Sequence, residues 1–280
     1  VDFSADGATL NIATPKLELS QVKGAFRYDT ATGLSAPDIR AQVFGRPVRG
    51  KALASKTVGK PTSRIEASGQ VALKSLTDWL AVTRPLPVSG ELPYQLAVTL
   101  DGDKSQLTVD STLKGLAIDL PAPLGKAAAE ERPSQWRMSL QGAERSYGLT
   151  YANLASLAAS APANAVGDAR AELRLGSAPA SVPSAKGLQV NGEVSELDAT
   201  AWQDLAKRYA GDQAASAKQV FNRADLHIGT ARIGAVIAPI PVDYRRRETE
   251  FVLSRTRAPV YIGPWSWLGF AHHQMVREMA

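Results

Sequence analysis

The octapeptide Gly45-Arg46-Pro47-Val48-Arg49-Gly50-Lys51-Ala52 fits a phosphate-binding P-loop at every position except the last, and it follows an apolar run as a P-loop should. The chemistry would be a backbone cradle for phosphate, with the lysine on the terminal phosphates and a hydroxyl on Mg²⁺. Ala52 has no hydroxyl, and Pro47 removes one backbone donor. The residues that follow, with Gly59 and Pro61, do not make the helix whose N-terminus would hold the anion. A hairpin turn is the expected structure. His227 and the pair His272-His273 are the only imidazoles in a chain without cysteine. They lack the partner spacing of a zinc site, so no metal is assigned. Glu130-Glu131 and Asp101/Asp103 are paired carboxylates in turn-like stretches, where acids are ordinary, and they receive no acid–base role. No Gly-x-Ser-x-Gly elbow is present. Arg245-Arg246-Arg247 beside Tyr244 would attract anions, but Glu248 and Glu250 dilute the cluster, which reads as a solvated surface. No catalytic residue or cofactor follows from these patterns: the chain is expected not to be an enzyme and not to bind nucleic acid.

The elements around these residues have a single grammar. In Gly90 to Gly142, Leu92, Tyr94, Leu96, Val98 and Leu100 share one parity and Glu91, Gln95 and Thr99 the other, as in a half-buried strand. Asp101-Gly102-Asp103-Lys104 turns the chain, and Leu107, Val109 and Leu113 resume the alternation. Leu116, Ile118 and Leu120 have the opposite parity, which predicts a β-bulge at Gly115. Pro121 to Gly125 ends the strand, and Trp136, Met138 and Leu140 begin another. Residues 1–73 repeat the pattern in short strands with turns at Asp29-Thr30-Ala31-Thr32-Gly33 and Gly45-Arg46-Pro47. The fold class is therefore mainly β, an antiparallel meander with a few short helices. With 280 residues, 44% of them hydrophobic, the chain can bury a core. Its net charge of +5 is weak grounds for a polyanionic partner. No apolar run approaches the ~20 residues that span a bilayer.

Two short helices are expected. Ser75 is placed as N-cap of the first, with Leu76, Trp79 and Leu80 at helical spacing. The second runs from Asp198 to Ala210, with Trp202, Leu205, Ala206 and Tyr209 on one stripe. A shift of 123 residues carries Ile65, Ala67, Gly69, Val71 and Trp79 onto Leu188, Val190, Gly192, Val194 and Trp202. An internal repeat is expected, about 1–123 and 124–238. The Ala/Ser-rich stretch from Ala152 to Ala165 reads as a loop or weak helix. From Pro239 the alternation stops, and residues 239–280, with Trp265 and Trp267, are expected to be an atypical tail contributing little to the core.

Leu116-Ala117-Ile118-Asp119-Leu120-Pro121-Ala122-Pro123-Leu124-Gly125-Lys126 resembles the YhdP-type branch of the AsmA-like family of proteobacterial envelope proteins. Ala41 to Val48, the strand-to-helix unit ending in Trp79 and Leu197 to Trp202 support the likeness, which covers about residues 1–235. The resemblance implies a fragment of a longer periplasmic protein, anchored in the inner membrane by a helix outside this stretch. It also implies a long, twisted, taco-like β-groove through which phospholipid passes between inner and outer membranes. On the parity pattern and the resemblance together, Leu96, Val98, Leu100, Leu107, Val109, Leu113, Ile118, Trp136 and Met138 are expected to line the groove, with phospholipid acyl chains as partners. The alternative is a non-catalytic scaffold for outer-membrane assembly or the permeability barrier.

Overall fold

A computed structural model describes residues 1–12, 16–57, 60–102, 104–209 and 221–232. Gly59, Asp103 and everything from Pro239 on, including Arg245, Arg246, Arg247, Trp265, Trp267, His272 and His273, lie outside the described residues. The first half is a strand meander: β1 (Asp2–Ile12), β2 (Leu17–Asp29), β3 (Gly33–Val43), β4 (Arg46–Thr57), β5 (Lys60–Ala72), then α1 (Leu73–Trp79) and β6 (Val88–Leu100). There follow β7 (Gln106–Ser111), β8 (Leu116–Ile118), β9 (Ser134–Ser139), β10 (Glu144–Tyr151), β11 (Ala155–Pro162), β12 (Arg170–Leu175), β13 (Gly187–Asp198), α2 (Ala199–Tyr209) and β14 (Phe221–Arg232). All but β8 hydrogen-bond in the order β1-β2-β3-β4-β5-β6-β7-β9-β10-β11-β12-β13-β14, a long open sheet. Local turns set this order, because each strand meets its sequence neighbour first. Asp29 Oδ1 accepts from the Ala31 amide at 2.7 Å to form the β2–β3 turn. Val43 pairs with Arg46 across a two-residue turn, so the P-loop look-alike is a hairpin whose Gly50 and Lys51 lie within β4.

The sheet is antiparallel from β1 to β12, as the alternation predicts, and parallel in its last two pairings. A parallel partner requires a crossover rather than a tight turn. The chain between β13 and β14 includes α2. The segment between β12 and β13 is held to the sheet by Ser156, whose Oγ donates to the Ala178 carbonyl at 3.1 Å and accepts from the Ala180 amide at 2.8 Å. It is also held by Glu172, which accepts from the Ser181 amide at 2.6 Å.

Glu172 is buried, 3% exposed. Desolvation pushes its carboxyl up, but donors from Asn191, Ser181 and Arg174 outweigh that and hold it below the ordinary glutamate range. A depressed native pKa stabilises the fold above the unfolded value, about 4.3, and that contribution is lost as pH falls through the native value. The urea midpoint of the wild type should therefore drop more steeply below about pH 5 than that of Glu172→Gln. Parallel curves for the two proteins would show that the crossover does not depend on this carboxylate.

Three local expectations change. The Ala/Ser-rich stretch is strand β11: small side chains give weak strand propensity, and pairing on both sides, with Ala161 buried, overrides it. Ser75 lies inside α1 and is not its cap; Ala72 precedes the helix and no side chain caps it. The shift after β7 is not a bulge. The chain turns at Leu113 (φ 54°) and Gly115, leaves the main sheet, and β8 pairs with the start of β6, Leu116 opposite Gly90. Only glycine permits this close approach, since a Cβ on Gly90 would stand 2.2 Å from the Gly115 oxygen. For α2 the expected cap is present: the Ala201 amide donates to Asp198 Oδ1 at 2.9 Å.

Candidate functional site: an uncovered apolar sheet face

One parity runs unbroken from β5 to β13. Val98 stands between Ile65 and Leu107, Val109 between Leu96 and Trp136, Leu149 between Trp136 and Leu157, and Leu173 between Leu157 and Val190. Lys51, Glu66, Thr108, Arg137, Glu172 and Gln189 occupy the other face. The tight packing is concentrated in β3 to β5, where Ala36, Ala41, Val48, Ala52 and Val71 are buried. Elsewhere the apolar face is only half covered. Leu96, Val98, Leu107, Val109, Trp136 and Met138 are neither buried nor fully exposed, and Leu100 and Phe3 are 42% and 50% exposed. The described residues supply no second sheet to lay over it. Aromatic pairs stiffen the surface: Phe3 stacks on Phe26 with ring centroids 5.1 Å apart, and Trp136 meets Tyr147 at 6.1 Å.

Of the nine residues expected to line a groove, the register brings Leu96, Val98, Leu100, Leu107, Val109, Trp136 and Met138 together on this face. Leu113 sits in the turn after β7, and Ile118 is in β8 opposite Val88, so neither is in those rows. The face also extends well beyond the expected set, through Tyr147, Leu149, Leu157, Leu173 and Val190. The strand signal at Leu157 was obscured by its Ala and Ser neighbours.

The segment between β8 and β9 is pinned by polar groups. Lys126 is buried, and its Nζ donates to the carbonyls of Leu113 and Ala127, each at 2.9 Å, and to that of Leu116. Burial lowers its pKa. Tyr151 Oη donates to the Leu124 carbonyl at 2.8 Å, and Arg132 Nη1 to that of Pro123 at 2.7 Å. Arg208 of α2 bridges to Asp119 at 2.8 Å. Together the loop, α2 and the sheet border a cavity of about 210 Å³ lined by Leu124, Leu154, Leu175, Val194, Leu197 and Trp202, with Glu193 and Ser195 also at its wall. The LPAPLGK stretch thus builds one wall of a small apolar chamber.

A larger hollow, about 1090 Å³, lies on the opposite, polar face, among Arg49, Gln70, Gln95, Asp110, Gln135 and Thr150. Its amides and guanidinium suit hydrogen-bonding ligands, not hydrocarbon. The Glu130-Glu131 pair is accounted for, Glu130 bridging to Arg132 and Glu131 to Lys114, each at 2.8 Å, and of the other pair Asp103 lies outside the described residues. Among the described residues no three His, Asp or Glu converge as metal ligands. His227 is exposed on β14 opposite Glu193.

The two tryptophan helices occupy matching places after β5 and β13, with Ile65, Ala67 and Val71 and then Leu188, Val190 and Val194 on the apolar face of those strands. Their pairing differs: β5 is antiparallel to both neighbours, and β13 parallel to both.

No curated protein and no solved structure matches the chain. A family model described as YhdP protein matches residues 1–253. The match extends beyond the expected residues 1–235 and past Pro239. An open meander with one continuous apolar face, matched by that model over nearly its whole length, belongs to the YhdP family.

Proposed function

We propose that this chain is a lipid-holding segment of a phospholipid transport protein that bridges the inner and outer membranes through the periplasm. The observation that supports this most is the uncovered apolar face, continuous from Ile65 to Val190. A surface of that extent requires an apolar partner, and acyl chains supply one without any residue doing chemistry. Each buried CH₂ contributes about 0.8 kcal/mol, so a half-enclosed chain is held, while a uniform hydrocarbon wall offers few barriers to sliding. Family membership supports the envelope setting and the lipid cargo.

The hollow on the polar face favours a second reading, a scaffold that binds protein partners during outer-membrane assembly. Mass spectrometry of lipids that co-purify with the chain separates the two. Phospholipid is expected at a stoichiometry that Val98→Asp reduces severalfold. Recovery of the folded chain free of lipid would favour the scaffold.

A further inference from the structure

The apolar parity of β10 ends on a charge. Tyr151, Leu149 and Tyr147 face one way, and the next residue of that parity is Arg145, opposite Ala161 of β11. Arg145 stands one step outside the row that runs through Leu107, Met138, Tyr147 and Ala159, close to the end of its strand, so it marks the rim of the face. Among the described residues of the paired rows from β5 to β13, no other Lys or Arg shares this face. The side chain is half-buried and makes no ion pair or hydrogen bond with a described residue. Its Nη1 is sealed from solvent, whereas Nε and Nη2 are not. Glu144, the adjoining acid, has the opposite parity and is taken by Ser160 at 2.6 Å and Arg170 at 2.9 Å. A cation with one nitrogen stripped of water and no counter-charge is costly to keep. An anion held at Nε and Nη2 offsets that cost through charge, without having to reach Nη1.

The forked donors of a guanidinium match the oxygens of a phosphate. From Arg145 to Tyr151 the strand rises about 20 Å at about 3.4 Å per residue. One leaflet of hydrocarbon is about 15 Å deep, half the core of a bilayer. A lipid with its phosphate at the rim therefore keeps its chains on the apolar rows. We propose that Arg145 holds the phosphate of a phospholipid at the edge of the apolar face, with the acyl chains lying inward over Tyr147 and Leu149. The site takes the headgroup through its phosphodiester, the part that all phospholipids share, and sets where along the face a lipid rests. This inference rests on the lipid-holding reading above.

The test compares dioleoylphosphatidylglycerol with dioleoylglycerol, which keeps the chains and lacks the phosphate. Binding is read as displacement of a fluorophore-labelled diacylglycerol from the purified chain. The wild type should prefer the phospholipid about tenfold or more, the value of a charge-assisted hydrogen bond. Arg145→Gln should bring phospholipid affinity down to that of dioleoylglycerol and leave dioleoylglycerol affinity unchanged, which also shows that the variant is folded. Arg137→Gln, on the opposite face, should keep the preference. Millimolar inorganic phosphate should leave phospholipid binding unchanged; if it erases the preference, the site is one for free phosphate and the headgroup role is overturned. Equal affinities in the wild type, or a preference that survives Arg145→Gln, overturn the role of Arg145 and leave the lipid-holding reading standing. Binding of neither lipid overturns both.

Discussion

Val98→Asp and Val109→Asp should each abolish lipid carriage by the full-length protein, and Thr99→Asp should leave it intact. Val98 lies between Ile65 and Leu107, and Val109 between Leu96 and Trp136, in the middle of the apolar rows. A carboxylate at either point would have to be stripped of water when hydrocarbon passes, a cost of several kcal/mol, and none of the residues paired with Val98 or Val109 is a cation. That corresponds to at least a hundredfold loss in occupancy of the adjoining surface. Neither valine is fully buried, so the substitution falls on a wet surface in the empty protein and the fold should persist. Thr99 has the opposite parity and stands beside Arg64 and Gln106, where a carboxylate is hydrated and has a guanidinium for company. Photoreactive residues give the direct measurement: lipid adducts at 98 and 109 and none at 99. Equal labelling at the three positions would remove the apolar face as the lipid path.

The second large effect concerns folding. Gly192→Ala should cost about 3 kcal/mol or more and open the β12–β13 junction. Gly192 has φ +124°, a region L side chains rarely adopt, and its added Cβ would stand 2.0 Å from the Leu175 oxygen and 2.7 Å from the Leu175 nitrogen. These are backbone atoms of a paired strand, which cannot retreat without giving up the parallel ladder. Gly167→Ala is the control, because nothing lies within 4 Å of its Cβ position, and it should change stability by less than about 0.5 kcal/mol. Urea midpoints measure both. A Gly192→Ala midpoint equal to that of the wild type would mean that the junction relaxes more freely than its geometry implies.

The alternation of Leu92 to Leu100 and of Trp136 to Met138 determined by itself that these segments are strands and which side chains share a face, because side-chain direction in a strand is a local property with period two. The same locality made the β3–β4 hairpin legible and deprived the P-loop look-alike of its helix. Residues that act through partners distant in sequence were not legible. Ala155 to Pro162 became a strand because β10 and β12 flank it, and β13 became parallel because the preceding chain crosses over and is anchored at Ser156 and Glu172. Ile118 left the expected rows because Gly90 and Gly115 let two backbones approach closely and pair, a contact between chain segments that no periodicity encodes. The Trp202 chamber likewise exists only once α2, the Lys126-pinned loop and the apolar face meet. An arginine beside alternating residues is visible in sequence, but whether its guanidinium finds a carboxylate depends on what folds against it, and only the tertiary structure decided that.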